Sequence, residues 1–213
     1  YGLAELSRSY AVTVTAAPGN EALFCGDLGR FLSEAKIAAA FSGEEGFVSV
    51  TDCFRENGTA YLVMDHVDGC TLKEYVNRSG CFSPQTLVTL LLPVMRSLAA
   101  MHARGFLHRD VTPDNILYGA HGRMTLTDFG SACPCTGGER AVPPYKDGFA
   151  PVEQRRRDGV QGPYTDVYAL CATIYACITG RVPESAADGS LPLAPSRLGV
   201  KILPQQERAL LHG

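Results

Sequence analysis

Apolar and polar positions along the chain fall into a short series of strand-like segments followed by a largely helical remainder. Residues 11–17 (AVTVTAA) alternate like a short strand, and Pro18, Gly19 and Asn20 close it. Residues 27–41 place Leu28, Phe31, Leu32, Ala35 and Ala38 at helical spacing, which predicts a helix. Two strand-like runs follow, 47–54 and 60–67, and the Asn57-Gly58 pair between them is a strong hairpin signal. Gly69 marks a break. Ser83 and Pro84 supply an N-cap and a first-turn proline for a long apolar helix to His102, with Gly105 as its stop and Pro93 as an expected kink. Residues 116–119 (ILYG) and 124–127 (MTLT) are short strand-like pieces among polar loops. Residues 131–150 carry Gly, Pro and Cys without a period and predict a long loop, a place where function often sits. Residues 167–179 are apolar almost all round and predict a central, buried helix capped by Gly180. The pattern therefore predicts a small strand-rich part and a larger helical part, joined near residues 67–69.

Composition narrows the class. A chain of 213 residues makes one large domain or two small lobes. With 46% apolar and 19% charged residues, a long disordered tail is excluded. Net charge is −3 and no basic stripe is present, which argues against nucleic acid as a partner. The longest nearly apolar run, 167–178, is too short to span a bilayer, so no membrane segment is expected within the chain. Tyr1 is not an initiator Met, and no signal peptide precedes the first strand; the chain is expected to be a fragment. Its eight cysteines lack a disulfide-framework spacing, and the close pair Cys133 and Cys135 has no second pair or nearby His to complete a zinc site. They read as reduced thiols of a cytoplasmic domain.

The chemistry concentrates between residues 108 and 130. His108-Arg-Asp-Val-Thr-Pro-Asp-Asn115 is followed by Asp128-Phe-Gly130. Phosphoryl transfer asks for a carboxylate at the acceptor hydroxyl and oxygen ligands for Mg²⁺. Asp110 is of the type to take the hydroxyl proton, and Asn115 and Asp128 to hold metal. Either short motif alone is weak evidence; their order and spacing together are strong.

With these residues in view, the chain resembles a protein kinase domain, most closely the bacterial serine/threonine kinases. HRDVTPDNIL is similar to the catalytic loop and DFG to the metal-binding loop. GFAPVEQ (148–154) is similar to the end of the activation segment, and Asp166 in TDVYAL to the aspartate that holds the catalytic loop from below. Glu34 resembles the glutamate of the helix in the small lobe, which orients a lysine. TAYLVMDHVDG (59–69) resembles the strand and hinge at the adenine. The resemblance implies an α+β, bilobal kinase-like fold, truncated at both ends. Residues 1–67 form a partial small lobe with a partial β-sheet and one helix, and residues 68–213 an incomplete, larger helical lobe. It implies ATP and Mg²⁺ as cofactors, a protein substrate, and transfer to Ser or Thr. Adenine would lie against Met64, Asp65, Val67 and Leu117.

Two departures accompany the resemblance. No Gly-rich phosphate loop is present, and the only lysines are 36, 73, 146 and 201, none in an Ala-Ile-Lys strand. The chain alone is therefore expected to be inactive and to carry an unpaired sheet edge. The alternative is a pseudokinase or a truncated, non-catalytic binding module. Second, the lysine that many relatives carry two residues after the catalytic aspartate is here Thr112, while Lys146 stands where many have Thr. The two are expected to have exchanged places, with Lys146 supplying the cation at the γ-phosphate and Thr112 a hydrogen bond that orients Asp110. Arg109 is expected to bind a phosphate on Thr136, or Glu139 in its place.

Overall fold

The computed structural model describes residues 6–8, 13–135, 145–184 and 193–212. They divide into two compact units: Tyr1–Gly43 with Ser49–His66, and Glu44–Val48 with Val67–Gly213.

In the first unit, β1 (Leu6–Arg8) and β2 (Val14–Ala16) pair antiparallel ahead of α1 (Glu21–Ala40). β2 falls within the strand-like run 11–17, and the pair forms a two-stranded sheet of its own ahead of the helix. The Val14 N–H also donates to the Asn57 carbonyl at 2.8 Å, which ties β2 to the next hairpin. Helix α1 begins six residues earlier than its apolar spacing predicts. The turn at Pro18 and Gly19 leaves Asn20 as N-cap, and the Phe24 N–H closes the first turn on the Asn20 carbonyl at 2.9 Å. Its face holding Ala35 and Ala38 is buried. β3 (Val50–Glu56) and β4 (Thr59–Met64) form the expected hairpin. Asn57 and Gly58 have φ of 55° and 75°, the positive pair that a two-residue turn twisted to match its strands requires.

The second unit recruits Glu44–Val48, which takes in the first two residues of the strand-like run 47–54 and lies within the part expected to belong to residues 1–67. The Gly46 N–H donates to the Ser97 hydroxyl at 3.0 Å, and a Cβ on Gly46 would overlap the Pro93 backbone. Only glycine lets the chain pass there. Phe47 then bridges in parallel to Leu126.

From Val67 onward the order is β5 (Gly69–Thr71), α2 (Leu72–Ser79), α3 (Pro84–Ala103), β6 (Phe106–Leu107), β7 (Ile116–Gly119), β8 (Met124–Leu126), β9 (Cys133–Pro134), α4 (Pro163–Thr179) and α5 (Pro204–His212). β5, β7 and β8 form one antiparallel sheet, and β6 pairs with β9. Thr71 and Glu74 make a reciprocal capping box that starts α2. The Ser83 hydroxyl accepts the Thr86 N–H at the start of α3, which continues unbroken through Pro93. By length and composition α3 is apolar enough to cross a membrane. Here its Leu87, Leu91, Val94, Leu98 and Met101 face is buried in the core of the unit. α4 is buried over most of its surface and ends on Gly180 in the left-handed region, φ 70°. These two helices carry the core on which the loops between β6 and α4 are laid. Burial pushes the Cys171 and Cys177 thiols up to about 11 and about 12, which keeps both inert at neutral pH.

Candidate active site

The loop after β6 is held from inside by one buried carboxylate. Asp166, in the first turn of α4, has no solvent exposure. Its Oδ2 accepts the His108 backbone N–H at 2.9 Å and contacts the His102 Nε2 at 2.7 Å. Its Oδ1 accepts the Arg109 N–H at 2.7 Å. The same loop is fixed by two further contacts that the sequence did not reveal. The Gln154 amide donates to the Arg109 carbonyl at 2.8 Å, and the Thr173 hydroxyl to the Val111 carbonyl at 2.8 Å. Arg109 itself takes a left-handed φ of 66°, strain that this set of bonds over-determines.

The ring of His108 makes no hydrogen bond at either nitrogen and is fully buried. Burial pushes its pKa down, so the ring is neutral and acts as an aromatic surface. It lies against Phe47 and Phe129, and those two rings meet edge-on with centroids 5.2 Å apart. Phe47 and the Phe of DFG therefore share one apolar cluster beneath the loop.

Above this support stand the polar groups. Asn115 donates from Nδ2 to the Asp110 backbone carbonyl at 3.0 Å and to its Oδ2 at 2.6 Å. Burial is the largest influence on Asp110 and raises its pKa; the Asn115 bond opposes this, Asp128 adds to it and Lys146 opposes it. Asp128 also has a left-handed φ, 67°, and its Oδ1 accepts the Gly130 N–H at 3.0 Å. Lys146 shares a small cavity of about 200 Å³ with Asp110, Thr112, Asn115, Ser131 and Tyr145. Its backbone carbonyl accepts the N–H groups of Phe149 and Ala150, which fixes the turn that presents it. Its ammonium contacts Asp114, which also pairs with Lys73 at 3.0 Å.

Thr112 departs from expectation. It lines the cavity, but its hydroxyl is buried without a hydrogen-bond partner, and the bond that orients Asp110 comes from Asn115. The Asp114 contact of Lys146 was not anticipated either. The Arg109 side chain donates from Nε to the Ser131 carbonyl at 2.6 Å; Thr136 and Glu139, its expected partners, lie outside the described residues. Glu153 accepts a bond from the Thr165 hydroxyl at 3.0 Å. In the first unit, Glu34 lies on α1, Met64 ends β4, and the Asp65 N–H donates to the Ser49 carbonyl at 2.9 Å. In the second, Val67 packs by Gly119, and Leu117 pairs with Thr71 and Thr125. Among the described residues no cluster of three or more His, Cys, Asp or Glu side chains is arranged to hold a metal.

The protein kinase domain family model matches residues 8–197, and the chain belongs to that family. It is 33% identical over 192 residues to the serine/threonine-protein kinase PknL of Mycobacterium bovis, covering 85% of this chain and 46% of that protein. To the serine/threonine-protein kinase PrkC of Bacillus subtilis it is 30% identical, covering 76% of this chain and 26% of that one. The chain thus spans about half the length, or less, of these relatives. A solved structure described as the apo form of PpkA-294 superposes with a TM-score of 0.77 at 28% identity, over 96% of this chain and 74% of that one. The fold is the α+β protein kinase fold.

Proposed function

We propose that the chain carries the catalytic centre of a serine/threonine protein kinase. The observation that carries this is the cavity where Asp110, oriented by Asn115, meets Lys146 and the unpartnered hydroxyl of Thr112. A Ser or Thr hydroxyl oxygen of a protein attacks the γ-phosphorus of ATP. The new O–P bond forms as the bond from that phosphorus to the bridging oxygen of ADP breaks, and the electron pair leaves with ADP. Asp110 takes the hydroxyl proton.

The donor set fits a hard divalent cation. Asn115 turns its amide nitrogen to Asp110, which leaves its Oδ1 facing elsewhere, and Asp128 brings a carboxylate with a fixed backbone. When bound there, Mg²⁺ offsets the negative charge of the phosphates. The family resemblance further assigns adenine to Met64, Asp65, Val67 and Leu117, and the orientation of a lysine to Glu34. β1 and β2 contain no lysine for Glu34 to orient.

Transfer of label from γ-labelled ATP to protein Ser or Thr by the full-length protein tests the reading. Asp128→Asn should raise the Mg²⁺ concentration for half-maximal rate by about tenfold, since it removes a charged oxygen ligand. An unchanged Mg²⁺ titration removes Asp128 from the metal site.

Lys146 is the cation of the centre. Lys146→Ala is expected to lower kcat by about tenfold to a hundredfold with little change in KM for ATP, the mark of an interaction made mainly in the transition state. Thr112→Lys combined with Lys146→Thr should recover part of the loss. A silent Lys146→Ala overturns the assignment.

A further inference from the structure

Beside the catalytic loop lies an open cavity of about 140 Å³, between α2, the Pro113 turn, Phe149 and the end of α4. That is room for about four or five waters. Its floor is apolar, with Phe149 and Val182, but its charged groups are Lys73, Lys146 and Arg181 against the single carboxylate Asp114. Asp114 is already shared: Lys73 sits 3.0 Å from its Oδ1, and Lys146 contacts its Oδ2. Two positive charges are therefore left over, on a chain whose net charge is −3. Burial and the neighbouring Lys73 both press the Lys146 ammonium toward its neutral form, while Asp110 opposes them, as expected where cations crowd around too few anions. Glu184 is near Tyr175 in the same region but does not line the cavity.

Lys146 is the wall common to this cavity and to the one that holds Asp110. A group seated in the Lys73–Lys146–Arg181 cavity therefore lies a short distance along a chain whose hydroxyl faces Asp110. We infer that the Lys73–Lys146–Arg181 cavity is a specificity pocket that takes an anionic side chain of the protein substrate, close in sequence to the residue that is phosphorylated. This rests on the kinase reading above and names the class of substrate for it. Carboxylate and phosphorylated side chains share the required chemistry, an anion that completes charge-assisted bonds to surplus ammonium and guanidinium groups.

The test uses the full-length protein and short peptides with one Ser or Thr acceptor. Asp, Glu, phosphoserine or Ala is placed in turn at each of the four residues on either side of it. At one of these positions an anionic residue is expected to raise kcat/KM by about tenfold or more over Ala, with the gain shrinking as salt is added. Comparison of the Asp, Glu and phosphoserine arms shows which anion the pocket serves. Lys73→Glu with Arg181→Glu, neither residue being part of the catalytic centre, should abolish that gain and leave turnover of the all-Ala peptide unchanged. Equal turnover of anionic and neutral peptides, or a preference that survives the double variant, overturns the pocket. If no peptide is phosphorylated, the kinase reading fails and binding decides the pocket. The peptides with the acceptor replaced by Ala should then still bind by fluorescence anisotropy when acidic, and lose binding in the double variant. No acidic binding overturns it.

Discussion

Asp110→Asn in the full-length protein is expected to lower kcat by about 10²- to 10⁴-fold, the range for removal of a positioned general base, with the melting temperature unchanged. The substitution keeps the shape of the side chain and an oxygen facing the Asn115 amide, which now donates to Asp110 Oδ2 at 2.6 Å. It removes only the capacity to accept a proton. The same residue predicts a pH profile. A base works when deprotonated, so the rate rises with pH through the pKa of Asp110. Burial raises that pKa above the usual carboxylate value, with Asp128 adding to the shift and the Asn115 bond and Lys146 opposing it. The acid limb of kcat/KM should therefore sit above the range of an exposed carboxylate. Asn115→Ala, which removes an opposing influence, should move it further up. A limb at the ordinary carboxylate position, or one that stays put in Asn115→Ala, contradicts this account of the base.

The elements that local rules govern are legible in the amino-acid order alone. Ser83 with Pro84 and Gly105 bracket α3, Asn57-Gly58 makes the β3–β4 turn, and Gly180 ends α4, each through chemistry contained in a few consecutive residues. α2 escapes the apolar pattern although its Thr71–Glu74 capping box is a local signal, because eight residues carry too little period to stand out. Residues 47–54 read as one strand, yet Phe47 and Val48 leave it to join Leu126, a choice made by Gly46 fitting against Pro93 far along the chain. At the site the motif places Asp110, Asn115 and Asp128 in one loop region. It does not reveal the Gln154 bond to Arg109, the Thr173 bond to Val111 or the Asp114 contact of Lys146. The first two span 45 and 62 residues and exist only once α4 and the turn after Ala150 are packed. Thr112 shows the limit from the other side. A hydroxyl close to the base in sequence reads as its orienting partner, but the loop turns it into an enclosed spot without an acceptor, and the longer amide of Asn115 reaches Asp110 instead.

Asp166→Ala is expected to cost about 3–5 kcal/mol of stability and to abolish transfer, although the residue touches neither nucleotide nor substrate. Its two oxygens take the N–H groups of His108 and Arg109 and the Nε2 of His102, all at 2.7–2.9 Å. His108 is fully buried, so no water can take up its N–H once the carboxylate is gone. The left-handed Arg109 backbone then loses a bond that holds it, and Asp110 follows directly in the chain. Asp166→Asn separates charge from geometry. It keeps one acceptor oxygen but turns an amide N–H toward one of the two backbone donors, so it should destabilise less than Ala while still displacing the loop. Denaturant unfolding checks the energies, and hydrogen exchange at the His108 and Arg109 amides checks the loop. Asp166→Ala should raise exchange there well above any change in α3, whose core face is fixed independently by Leu87, Leu91 and Met101. Full activity in Asp166→Ala, or unaltered exchange at those two amides, would mean that the loop holds its shape without the buried carboxylate. The Gln154 and Thr173 contacts would then have to be its principal support.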